Sequence, residues 1–207
     1  LKTLTLRSTL FILLSILVFS CGEDEQTESE KELFKYLPNT YTERQFKFDS
    51  GNGFYITLPD CYQIARFRQF SIKNDDNYHC QENQSYFSID RFSPSDIDYY
   101  DKYFNTDSTK SRTSQEKMLK YVLDSRASNL EIHSSSIFSE VKTKSGLKMI
   151  VAAVKGSETS YSNPLYYQYG IFSIDDELYV VQFIVNDGDI SFFHEDIMTI
   201  FKSIRLI

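Results

Sequence analysis

Leu178-Tyr179-Val180-Val181-Gln182-Phe183-Ile184-Val185 is apolar at every position but Gln182. The turn Asp175-Asp176-Glu177 precedes it, and Asn186-Asp187-Gly188-Asp189 follows. A strand with one face in water alternates apolar and polar residues, whereas a short continuous apolar run reads as a strand covered on both faces. This stretch is therefore expected at the centre of a sheet. Asp189 then caps a final helix on which Ile190, Phe193, Ile197, Ile200, Phe201 and Ile204 form one broad apolar stripe.

Working back toward the N-terminus, Tyr166–Ile174, Leu147–Lys155 and Glu131–Thr143 read as further strands, the last two joined across Lys144-Ser145-Gly146. Short turns between successive strands favour antiparallel pairing, because parallel neighbours need long crossovers. Thr113 with Glu116 three residues on is a capping box. Met118, Leu119, Val122, Leu123 and Leu130 fall near one face of the helix it starts. Ser93-Pro94-Ser95 opens a shorter helix bearing Ile97, Tyr100 and Phe104. Tyr86–Phe92 and Gln63–Phe70 read as strands, with Lys73–Asn77 as a polar turn between them. The alternation at Phe46 and Phe48, a turn at Asp49–Gly53 and the run Phe54–Leu58 make an early hairpin ended by Pro59-Asp60. The expected fold is α+β, an antiparallel sheet with helices packed on its faces, in one domain over 41–207.

Three features resemble the Mog1/PsbP-like α/β/α sandwich. Leu58-Pro59-Asp60 is followed by Tyr62; an amphipathic helix precedes a hairpin across Gly146; and Leu178–Val185 leads into a helix holding Phe193, Ile197 and Phe201, with Ser203 beyond. The family often carries Trp after the Leu-Pro turn, and this chain has no Trp; its 93–112 region also looks enlarged. The resemblance implies a binding module, since the family includes photosynthetic accessory subunits, a small-GTPase partner, bacterial lipoproteins and secretion-effector chaperones.

The first twenty residues carry Lys2 and Arg7, then an apolar run from Leu10 to Phe19 broken only by Ser15. A basic start, a short apolar core and a small residue at the cut form a signal-peptide pattern, and the run is too short to cross a bilayer. Val18-Phe19-Ser20-Cys21 resembles the lipobox of bacterial lipoproteins, which implies S-diacylglyceryl and N-acyl groups on Cys21. Two or three acyl chains anchor a protein stably where one does not. Gly22-Glu23-Asp24-Glu25 looks like the acidic signal that sends lipoproteins of some diderm bacteria to the outer face of the outer membrane; retention in the periplasmic leaflet is the alternative. Residues 21–40 are expected to be an acidic flexible tether from which the domain hangs without touching the membrane.

The net charge of −7 becomes −9 when Lys2 and Arg7 leave with residues 1–20, which hold no acid. That balance excludes nucleic acid and a polybasic grip on anionic lipid. Seventeen Phe and fifteen Tyr favour a sheet-rich fold. Cys61 and Cys80 are expected to form a disulfide in an oxidising compartment, with two buried thiols as the alternative.

No catalytic constellation emerges. His79, His133 and His194 lack ligand spacing, and no Gly-x-Ser-x-Gly elbow or phosphate-cradling loop occurs. Cys61 with His79 is an imaginable nucleophile pair, but a structural cysteine is the plainer reading. The turns Asn74–Asn77 and Asn186–Asp189 lack the full calcium loop with its terminal Glu. Asp107-Ser108-Thr109 resembles an O-glycosylation acceptor. Neither a metal nor a cofactor is called for. Tyr99 and Tyr103 on the short helix, and Tyr161, Tyr166 and Tyr167 around Asn163-Pro164, are the candidate contact surface, with packing on a sheet face as the competing reading. The expected function is that of a monomeric, non-catalytic binding or accessory module for a protein partner, held to the membrane by lipid. An envelope hydrolase acting on glycan or peptide, or an immunity or chaperone-like protein, are the alternatives.

Overall fold

In chain order the described residues form β1 (Tyr41–Lys47), β2 (Gly53–Pro59), β3 (Tyr62–Ile64), β4 (Asp76–Cys80), β5 (Ser85–Phe92), α1 (Pro94–Phe104), α2 (Ser114–Ala127), β6 (Leu130–Lys142), β7 (Lys148–Glu158), β8 (Leu165–Ile174), β9 (Glu177–Asn186), α3 (Ile190–Lys202) and β10 (Arg205–Leu206). The structure is a computed structural model describing residues 33–47, 51–65, 76–104, 113–127, 130–158, 164–186 and 190–207. Seven strands make one antiparallel sheet in the order β3-β4-β5-β9-β8-β7-β6, and β1-β2-β10 make a second.

β9 is the middle strand of the seven, as its composition predicts. Every residue from Glu177 to Val185 is buried. On one face Leu178, Val180 and Ile184 join Met118, Leu119 and Val122 of α2 in a common core. On the other, the Phe183 ring lies 5.7 Å from Phe201 of α3 and 4.7 Å from Phe87. Phe54 of β2 meets Phe172 at 5.2 Å and Tyr179 at 5.5 Å, so the small sheet covers this second face together with α3. Helices therefore flank both faces of the large sheet. With α2 on one side and α3 on the other, β9 is covered on both faces from Glu177 to Val185, which is why it shows no alternation.

The starts of α1 and α2 carry reciprocal caps. The Thr113 N–H donates to Glu116 Oε2 at 2.7 Å, and the Glu116 N–H reaches Thr113 Oγ1 at 3.3 Å. Ser93 and Asp96 repeat the device at α1, with Pro94 in the first turn.

Four expectations need correction. Asp76–Cys80 is a strand: β5 pairs along its whole length and β3 along Tyr78–Cys80, and the β5 ladder overrides the turn-forming tendency of Asp76 and Asn77. Leu130 begins β6 and does not belong to α2. Ile204 lies beyond the end of α3, although buried. Finally, Phe34–Thr40 is not free tether. Phe34 and Leu37 are only 1% and 3% exposed, and the boundary of the compact unit falls between Leu33 and Phe34. The expected strand over Gln63–Phe70 is described only to Ile64, and Phe48 lies outside the described residues.

Candidate functional site

Residues 34–40 form a strap held by one carboxylate. Asp196 of α3, buried, accepts the backbone N–H groups of Lys35 at 2.8 Å, Tyr36 at 2.7 Å and Leu37 at 2.6 Å. Three consecutive donors thus converge on two oxygens, and the Leu37 N–H, the buried one of the three, gains the partner it would otherwise lack. Asn39 closes the loop by accepting from the Phe34 N–H and donating to the Phe34 carbonyl, at 2.8 and 2.9 Å. The Phe34 ring meets Tyr41 edge-on at 5.8 Å. Asp60 N–H donates to the Thr40 carbonyl, tying the strap's end to the β2–β3 turn. Sequence reasoning missed this because Asp196 is one acid among many; the cluster Leu33, Phe34, Tyr36 and Leu37, following an acidic stretch, was the available signal.

Next along the chain, Cys61 and Cys80 are joined by a disulfide with Cα atoms 4.9 Å apart, within the ordinary range. The bridge staples the β2–β3 turn to the end of β4. Behind it, the Tyr62 hydroxyl bonds Ser85 Oγ at 2.6 Å, and burial pushes that phenol well above its usual range. In front of it opens a cleft of about 450 Å³ lined by Cys61, Gln63, Ile64, His79, Gln81 and Glu82. Ile64 is 80% exposed, and the His79 ring stacks on Tyr86 at 4.4 Å. The described lining holds one carboxylate, Glu82, and no Lys or Arg, so it offers hydrogen bonds and a ring but no pairing for an anion.

Among the described residues the predicted contact tyrosines do not all lie on the surface. Tyr99 on α1 is 54% exposed. Tyr166 is half-buried, its phenol raised by burial. Tyr167 is a correction: strand alternation turns it to the α2 side of β8, where it is wholly buried beside Tyr169. Cys21, Tyr161 and the Asp107-Ser108-Thr109 motif lie outside the described residues, as does the side chain of Tyr103. So do Asn74 and Asp75 of one candidate calcium turn and Asp187, Gly188 and Asp189 of the other. Among the described residues no cluster of His, Cys, Asp and Glu is placed to hold a metal. His194 is an exposed helix residue whose Nδ1 lies 3.1 Å from Gln168 Oε1.

With a central antiparallel sheet, helices on both faces and a second small sheet, the domain has a PsbP-like α+β fold. It is similar to the solution structure of cyanobacterial PsbP (CyanoP) from Synechocystis sp. PCC 6803, with a TM-score of 0.50 and 11% identity over 80% of this chain and 93% of that one. A protein of unknown function from Pseudomonas aeruginosa also matches, with a TM-score of 0.40 and 8% identity over 77% and 94%. No protein-family model and no curated protein matches the chain.

Proposed function

We propose that this chain is a lipid-anchored protein of the cell envelope, facing the outside of the outer membrane, whose domain acts as a non-catalytic binding or accessory module for a protein partner. The observation that carries the anchor is the cysteine arithmetic. The chain has three cysteines, and the Cys61–Cys80 bridge consumes two. Cys21, directly after Val18-Phe19-Ser20 and before an acidic stretch, is the thiol left for acylation. A disulfide also suits an oxidising compartment.

A hydrolase reading finds less support. Cleaving a glycosidic bond commonly takes two carboxylates about 5–9 Å apart, and the described cleft lining supplies Glu82 alone. Cys21→Ala should move the protein from the membrane to the soluble fraction; retention in the membrane would remove the anchor. Intact cells treated with protease should lose the domain if it faces outward. Crosslinking in membranes, followed by capture, should return a stoichiometric protein partner; none at any level of crosslinker would overturn the accessory role.

A further inference from the structure

We propose that His194 and Met198, one turn apart on α3, form a site for a soft monovalent metal cation of the copper(I) type, with the amide of Gln168 holding both ligands from beneath. The site is a second property of the domain and does not depend on the lipid anchor.

Position comes first. Gln168 of β8 is wholly buried beneath α3. Its side-chain N–H donates to Met198 Sδ at 3.0 Å, and its Oε1 accepts from His194 Nδ1 at 3.1 Å. Residues four apart on a helix are neighbours on one face, and here both stand over the same amide. An amide oxygen only accepts, so this hydrogen bond puts the ring proton on Nδ1 and the free lone pair on Nε2. The thioether likewise uses one lone pair on the amide and keeps the other. Metal-ligating histidines are oriented in this way, with the second ring nitrogen donating to a carbonyl or carboxylate.

Chemistry comes second. The chain has three methionines. Met118 and Met149 are 2% and 0% exposed, whereas Met198 is only partly buried and His194 beside it is exposed. The one thioether within reach of solvent therefore stands next to an imidazole. Thioether sulfur is a soft, polarisable donor that selects copper(I), and imidazole suits copper as well. Copper(I) and its analogue silver(I) are satisfied by two or three ligands. A structural zinc takes four, and calcium takes six to eight oxygens. The neighbouring carboxylates of α3 are committed elsewhere, Asp196 to the strap and Glu195 to Lys35 at 3.5 Å, so a hard cation finds no oxygen set here. A net charge of −7 draws cations toward the protein, and ligand softness then decides which one stays.

Silver(I) is the redox-inert probe, added as its nitrate in chloride-free buffer to the protein carrying Cys21→Ala. With Cys61 and Cys80 bridged, that variant has no free thiol to compete. A single equivalent should move the Met198 methyl resonance and the His194 Nε2 resonance, leaving the methyls of Met118 and Met149 in place. In the same background Met198→Leu keeps the side-chain volume and His194→Ala changes an exposed position, so both should fold. Each should weaken silver binding by about 100-fold, since losing a ligand costs no less than losing its hydrogen-bonded partner. Copper(I) under anaerobic conditions should displace silver, whereas zinc and calcium should not. A Met198 methyl that stays in place at several equivalents overturns the proposal. Silver binding of undiminished affinity in His194→Ala also overturns it, because a thioether alone is then an adventitious ligand. A shift at Nδ1 in place of Nε2 overturns the orienting role of Gln168.

Discussion

The Asp196 carboxylate of α3 accepts a 2.6 Å hydrogen bond from the backbone N–H of Leu37, a residue 159 positions earlier in the chain. The same group takes the N–H groups of Lys35 and Tyr36, so one side chain fixes the strap against the final helix. Asp196→Asn keeps the shape but replaces one acceptor oxygen by an NH₂, which faces donors with a donor. Leaving buried main-chain groups unpaired and removing charge-assisted bonds should cost about 2–4 kcal/mol. Hydrogen exchange would show it: amides of 35–37 should lose protection in the variant, while those of β9 fall only by the change in global stability. If 35–37 are unprotected already in the wild type, the strap is not docked in solution.

Close packing between the large sheet and α3 leads to a second expectation. A Cβ added at Gly170 of β8 would lie 2.6 Å from Met149 Sδ, 3.0 Å from Val181 Cγ2 and 3.2 Å from Phe201 Cε2. Gly170→Ala should therefore destabilise by about 1–3 kcal/mol through overpacking. The nearest obstacle is the end of a flexible side chain. Combined with Met149→Ala, the substitution should cost less than the sum of the two single changes. Additive losses in a double-mutant cycle would show that the backbone, and not Met149, absorbs the strain.

The tyrosines grouped from sequence should separate in a stability scan. Tyr167→Ala removes a wholly buried ring from the α2-side core and should cost about 3–5 kcal/mol by denaturant unfolding. Tyr99→Ala, on the exposed side of α1, should fall within about 0.5 kcal/mol of wild type. A large loss at Tyr99 would show that the covered part of its ring helps hold α1 in place.

These three sites also mark how far the sequence could be read. Regular patterns were legible: the unbroken apolar run of β9 announces burial on both sides, and Thr113 with Glu116 announces a helix start, because each signal is local. Tyr166 and Tyr167 were not separable, since both flank the same Asn163-Pro164 loop and only the phase of β8 decides which one is buried. β4 was hidden because Asp76 and Asn77 favour turns on their own, and pairing with Ile89 and Ser88 of β5 supplies what they lack. The strap was hidden for a related reason. Its stability lies in a carboxylate that reaches it only after the final helix has packed, and no window of adjacent residues contains both partners.

The three-stranded sheet offers a pH test with a definite sign. Arg205 of β10 donates from Nε to Glu43 Oε1 at 2.8 Å and from Nη2 to Oε2 at 2.6 Å, spanning β2, and its guanidinium lies 4.1 Å over the Tyr55 ring. The bidentate bond holds the Glu43 carboxyl below its ordinary value of 4.5, and the same partner raises the Arg205 guanidinium above its usual value. A group whose folded pKa is lowered contributes stability above its unfolded pKa and loses it as pH falls through the folded one. The difference in melting temperature between wild type and Arg205→Ala should therefore be constant above about pH 5.5 and shrink as pH drops below 4.5. It should not vanish, because stacking on Tyr55 does not titrate in that range. Both partners are about two-fifths exposed, so added salt at neutral pH should shrink the same difference. In a Glu43→Gln background, the Arg205→Ala effect should be small and flat with pH. A difference that stays full below pH 3 would show that Arg205 acts through Tyr55 alone, with the Glu43 pair contributing nothing to the small sheet.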